Sequence, residues 1–272
     1  MDISVVAADG TRLTARRTGR GSPVVLVHGS SGGLDSWDPI VPLLADRFEL
    51  WVYARRGYPP SDGCRSPKTY ADDAADLQTV IAAAGGSAHV AGASYGATVA
   101  LHAAHSGSDA IRSVALFEPP LFAAGAALAP VLGAYRELLG AGDIAAATRL
   151  FAEKVARVPA ALLAAMASAD TAPKSPAEQA SAAAEAVGCL HDLEAIAADQ
   201  ADVQRWARIG VPVLLMQGGE TWAPMPSTMD AIAGALPKAA RVTLPGQSHF
   251  ATHTAPEPFA AALREFLLSA DL

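Results

Sequence analysis

Cysteine is almost missing from this 272-residue chain: only Cys64 and Cys189 occur. Two distant cysteines make neither a disulfide framework nor a metal-ligand set, so free thiols and a cytoplasmic setting are expected. Charge is also scarce. Asp, Glu, Lys and Arg make up 17% of residues, the net charge is −7, and no basic run exceeds two residues. That excludes nucleic acid as a partner. No run of about 18 strongly apolar residues occurs, which excludes a helical membrane span. The start, Met-Asp-Ile-Ser, has no basic stretch leading into an apolar one, so no secretory signal is expected. What the chain has in plenty is hydrophobic residues, 51% of the total. A large core follows, and disorder does not. The length suits one large α/β domain, or a core carrying an inserted cap.

The stretch Gly92-Ala93-Ser94-Tyr95-Gly96 has the form G-x-S-x-G. Apolar residues before it predict a buried strand, and small residues after it predict a helix that lies close to that strand. Such a turn forces the serine into a strained backbone and lifts its hydroxyl above the sheet edge. Residues two before and two after the serine crowd each other, so both must be glycine. An oxyanion beside Ser94 would meet backbone N–H groups and the positive end of the helix.

The rest of the chain alternates strands with helices. Residues 3–8 and 12–17 predict a hairpin around Asp9-Gly10. Pro23–His28 is an apolar strand of the buried parallel type, entering the loop His28-Gly29-Ser30-Ser31-Gly32-Gly33. A helix is predicted over Ser36–Asp46 with Trp37 on its apolar face. A strand follows at Phe48–Tyr53, then the turn Arg55-Arg56-Gly57. Thr69 caps a helix that Gly85 ends. Ile111–Phe117 is a strand that closes on Glu118-Pro119-Pro120, where the proline holds Glu118 extended.

Residues 121–205 change character. They are alanine-rich, helically spaced and free of strand patterns, with a capping box at Ser175-Pro176-Ala177-Glu178. They are expected to form a helical cap, with 1–120 and 206–272 as the core. Strands resume at Val211–Gln217 and Ala240–Leu244, with a helix near Ser227–Ala235 between them. Thr254-Ala255-Pro256-Glu257 predicts a second capping box opening the last helix, to about Leu268. The fold class is therefore α/β, with a doubly wound, mostly parallel sheet and an inserted helical cap. Sites in such sheets form at the carboxyl ends of strands. His28-Gly29, Ser94, Glu118, Glu220 and His249 all fall just past predicted strand ends.

With the His-Gly loop, the Gly-Ala-Ser-Tyr-Gly elbow, the inserted helices and the late Gly-Gln-Ser-His, the chain resembles the α/β-hydrolase fold family over nearly its whole length. It is most similar to capped single-domain serine hydrolases such as bacterial esterases and cofactor-free perhydrolases. The resemblance implies Ser94 as nucleophile and His249 as general base, with the N–H groups of Tyr95 and Ser30 as oxyanion donors. No cofactor is implied. Two departures stand out. Ala54 replaces the aspartate usual after the second parallel strand. Thr221 stands where the triad aspartate is usual, three residues after Gly218. The family also places an acid after the strand next to the nucleophile's, which here is Glu118. Glu118 is preferred, Glu220 is the alternative acid, and a site without an acid is the third reading.

His28, Ser31, Trp37, Trp222 and Phe250 are the expected substrate-binding residues, with Tyr95 a further pocket wall; Trp37 suits the core at least as well. His253 is a reserve candidate for the base. His191 lies in the cap, and His89 starts the elbow strand. His102 and His105 stand three apart without acidic or cysteine partners in sequence, so no metal is expected. Arg55 and Arg56 could bind a substrate carboxylate; the other reading has one of them solvated and one bracing loops.

The expected activity is cleavage of a small, largely uncharged carboxylic ester, thioester or lactone through an acyl-enzyme. The alternatives are a perhydrolase, C–C hydrolase or lyase on the same triad, and a catalytically weak small-molecule receptor or accessory protein. Serine at 94 argues against haloalkane dehalogenases and epoxide hydrolases, which need a carboxylate nucleophile. The only partner expected is a small-molecule substrate. Oligomeric state is left open.

Overall fold

A computed structural model describes residues 1–64, 67–107, 109–121, 125–169, 175–236 and 238–271. Eight strands form one sheet: β1 Asp2–Val6, β2 Arg12–Gly19, β3 Ser22–Val27, β4 Phe48–Tyr53, β5 Ala88–Ala93, β6 Ile111–Phe117, β7 Val213–Gly218 and β8 Ala240–Leu244. Their spatial order is β1-β2-β4-β3-β5-β6-β7-β8. The pairs β1–β2 and β2–β4 are antiparallel and the other pairings are parallel.

Side chains alternate across this sheet with period two. Val25 and Val27 of β3, Trp51 and Tyr53 of β4, and Val114 and Leu116 of β6 enter one hydrophobic layer. Val24 and Leu26, Leu50 and Val52, and Ala115 and Phe117 enter the other. Both layers are sealed by helices, so the central strands need apolar residues at every position. On the first face lie α2 (Tyr70–Ala83), α3 (Tyr95–His105) and α8 (Met225–Ala235), contributing Leu77, Val99 and Ile232. On the second lie α1 (Val41–Leu44) and α10 (Pro256–Ala270), contributing Leu44, Phe259 and Leu263.

Between β6 and β7 the described elements are helices: α4 Gly125–Gly140, α5 Ile144–Leu150 running into a wide turn at Phe151–Val155, α6 Ala160–Ala169, α7 Pro176–Ala198 and a tight turn of helix at Val203–Arg208. Leu132, Tyr135, Phe151 and Leu193 of this segment join the first hydrophobic layer. The capping boxes at Thr69 and Ser175 both form.

Three local expectations are corrected. The helix over Ser36–Asp46 shrinks to the single turn of α1. Pro39 and Pro42 have no N–H to donate, and the residues before α1 are held by three-residue turns such as Ile40 N to Trp37 O. The box at Thr254 does not form. Thr254 ends a short helix, α9 (Ala251–Thr254), with its hydroxyl 2.8 Å from Gln247 Oε1, and Ala255 takes the cap position of α10. Glu118 is not extended before its proline; its φ is +45°.

Candidate active site

The elbow follows from sterics. Ser94 sits at φ 53°, ψ −124°, between β5 and α3. A Cβ on Gly92 would stand 2.3 Å from Gly96 O, and one on Gly96 would stand 2.3 Å from Val27 O. No other residue fits either position. The Ser94 N–H donates to Phe117 O across the sheet at 2.8 Å. This strained residue is thus pinned to the end of β6.

The next residue after Phe117 is Glu118, fully buried. Its Oε1 accepts the Gly218 N–H at 2.7 Å, and its Oε2 accepts the Thr221 hydroxyl at 3.0 Å. The same Oε2 lies 2.5 Å from His249 Nδ1. Three bonds from the neighbouring strand end and the His249 loop hold the carboxylate against its unusual backbone angle. Around His249 stand Phe117, stacked at 5.9 Å between ring centroids, Trp222 edge-on at 5.3 Å and Phe250 edge-on at 6.0 Å. Phe117 therefore links the elbow serine and the histidine: its carbonyl holds Ser94 and its ring covers His249.

Glu220 takes no part in this cluster. Its side chain is exposed, and its N–H donates to Gln247 O. His253 bonds Thr252 instead, 2.9 Å from its hydroxyl. Trp37 is not a pocket wall. It is buried in the second layer, edge-on to Phe259. Tyr95 also turns its ring inward, donating its hydroxyl to Asp73 at 2.9 Å. Its N–H, in the first turn of α3, remains at the elbow. Ser31 is exposed with φ 57° and lines a groove of about 350 Å³, together with Gly33, Pro60 and Glu185. Neither Ser94 nor His249 is among the residues lining that groove. Of the remaining histidines, His89 lies between Ser113 and Asp271, and His102 stacks on Tyr70. Among the described residues no cluster of three metal-type side chains occurs.

His28 is buried and does not face a ligand. Its Nε2 accepts the Arg55 N–H at 3.0 Å, so Nδ1 carries the proton and donates to Gly29 O at 2.7 Å. Burial, with Arg55 alongside, pushes its pKa well below the usual imidazole value. Unfolded, the same ring takes up a proton near pH 6.5. Its contribution to stability is therefore complete above about pH 6.5 and declines below it, by up to about 1.4 kcal/mol per pH unit. Urea titrations from pH 7.5 to 5 should show this decline, and His28→Asn should make it shallower, the rest coming from His89, His105, His191 and His253, whose pKa values burial also lowers. A wild-type stability that is level across this range would contradict the neutral assignment.

The sequence reading missed a buried charge cluster under the loop of residues 28–33. Arg55 lies between the rings of Tyr58 and Tyr95, at 4.8 and 4.3 Å. It makes a two-pronged pair with Asp192 of α7, at 3.1 and 2.7 Å, and reaches Asp73 at 3.5 Å. Lys68 bridges the same two acids, 2.9 Å from Asp192 and 3.0 Å from Asp73. Tyr58 donates to Asp192 at 2.6 Å and Ser30 donates to it at 2.7 Å. Burial works to raise the Asp192 pKa, but Arg55 and Lys68 outweigh it and hold the carboxyl well below the usual range. A sequence signal existed: Asp192 interrupts the apolar face formed by Cys189, Leu193 and Ile196.

Residues 22–256 match the alpha/beta hydrolase fold family. An alpha/beta hydrolase from Sphaerobacter thermophilus is 32% identical, covering 97% of this chain and 100% of that one, with a TM-score of 0.80. A thermophilic esterase from Thermogutta terrifontis shares the fold at 20% identity, with full coverage of both chains and a TM-score of 0.81. A curated relative, "Putative carbamate hydrolase RutD" of Azorhizobium caulinodans, is 31% identical over 99 residues, or 36% of this chain and 37% of that protein. The elbow, the strand order and a family match across most of its length make this chain an enzyme of the alpha/beta hydrolase fold family.

Proposed function

We propose that the protein hydrolyses a small, largely uncharged carboxylic ester, thioester or lactone through an acyl-enzyme. Ser94 Oγ attacks the acyl carbon while His249 Nε2 takes its proton. The carbonyl oxygen becomes an oxyanion held by the N–H groups of Tyr95 and Ser30. Glu118 keeps the His249 proton on Nδ1 and stabilises the imidazolium. The C–O (or C–S) bond breaks as His249 returns its proton to the leaving group. Water then attacks the acyl carbon, gives a proton to His249 and releases the acid, and Ser94 regains its proton.

The observation that carries this reading is the Glu118–His249 contact at 2.5 Å, with Glu118 fixed by Gly218 and Thr221. Among the described residues Ser94 Oγ makes no hydrogen bond to His249; bonds of this kind often tighten only when substrate is bound. The test is hydrolysis of p-nitrophenyl acetate and butyrate. Wild type should turn over, and Ser94→Ala should lose about 10⁴-fold or more. Unchanged turnover in Ser94→Ala would end the serine mechanism. Saturable ester binding without turnover by wild type would favour the receptor reading instead.

A further inference from the structure

We propose that Asp192, on the helix α7 inserted between β6 and β7, is a positioning residue that sets the oxyanion loop. The inference rests on the oxyanion assignment of the proposed hydrolysis. Ser30, whose N–H is one of the two donors there, gives its hydroxyl to Asp192 Oδ2 at 2.7 Å. The rest of the connection runs through Arg55. Its NH2 bonds both Asp192 Oδ2, at 2.7 Å, and Gly29 O, at 3.1 Å, while its Nε bonds His28 O at 3.0 Å. Gly29 C=O and Ser30 N–H belong to one planar trans peptide and point in opposite directions. Fixing the carbonyl therefore fixes the direction of the N–H. Asp192 holds this peptide twice, once through the Ser30 side chain and once through Arg55 on the Gly29 carbonyl.

Two features separate this from a salt bridge that merely joins two parts of the fold. The acid bonds the side chain of the very residue whose backbone faces the oxyanion. The shared guanidinium also touches both carbonyls of the loop, rather than passing it by. Close packing maintains the arrangement. A Cβ on Gly188 of α7 would stand 2.7 Å from Gly57 O, so α7 lies directly on the loop that follows Arg55.

The experiment uses a p-nitrophenyl alkylphosphonate. Ser94 Oγ bonds phosphorus, the P–O bond to p-nitrophenol breaks, the Ser94 proton leaves through His249, and charge builds on the phosphoryl oxygen in the oxyanion site. The labelling rate reads that site without needing the natural substrate. Ser30→Ala keeps the backbone N–H and every charged pair, and removes only the bond to Asp192. It should slow labelling about tenfold with Tm within about 2 °C of wild type, since small misplacements of catalytic groups cost this much or more. Asp192→Asn should slow labelling at least as far. If Asp192→Asn fails to fold, Ser30→Ala alone decides. Labelling of Ser30→Ala within twofold of wild type overturns the proposal while leaving the hydrolase reading intact. Failure of wild type to label at Ser94 overturns both.

Discussion

Glu118→Gln is expected to lower kcat on a p-nitrophenyl ester by about 10⁴-fold, with KM little changed. The amide keeps the shape of the carboxylate. It cannot serve both the Gly218 N–H and His249 Nδ1–H as charged acceptors, and its NH₂ can force the wrong imidazole tautomer. Glu220→Gln should stay close to wild type, because that side chain is exposed and makes no contact with His249. The geometry also offers a rescue. Thr221 Oγ1 lies 3.0 Å from the Glu118 oxygen that meets His249. An acid at 221 therefore approaches the same imidazole nitrogen from the next strand. Glu118→Gln combined with Thr221→Asp should recover at least tenfold of the lost kcat. A large loss in Glu220→Gln with none in Glu118→Gln would reverse the assignment.

Arg55→Leu should destabilise the protein by about 3–5 kcal/mol, read from urea unfolding at pH 7.5. The cluster balances two cations, Arg55 and Lys68, against two acids, Asp73 and Asp192. All four side chains are at most 2% exposed. Removing Arg55 leaves an uncompensated negative charge in a closed interior. It also removes the donors to His28 O and Gly29 O. Arg136→Ala breaks a pair with Glu194 in which the arginine is half exposed, and it should cost less than about 1 kcal/mol. Equal costs for the two variants would show that the buried cluster adds little to stability.

These two sites differ in how they could be read from the chain. Ser94, Glu118 and His249 lie at strand ends, and strands announce themselves by apolar runs between glycines and prolines. A parallel sheet then gathers their carboxyl ends at one edge, whatever the distance in sequence. Glu118 was legible for that reason, although its backbone angle was not: proline's local preference yields to three bonds on the carboxylate. The Asp192 cluster has no such organiser. Arg55 and Asp192 are 137 residues apart, and they meet only because α7 folds back over the loop after β4. No local spacing encodes that. Trp37 shows the opposite failure. It was expected to bind substrate, but its ring packs edge-on against Phe259 of α10 in the core. The helix expected around it was lost to Pro39 and Pro42, whose missing N–H groups outweigh a good apolar stripe.

The burial of Asp192 bears on how the enzyme breathes. Lifting α7 would separate one acid from Arg55, Lys68, Tyr58 and Ser30 at once, in a place where water enters only as the contacts part. Such a state parts four contacts in one step, so α7 does not lift by degrees. Helix α7 is then a fixed part of the inserted segment rather than a mobile one.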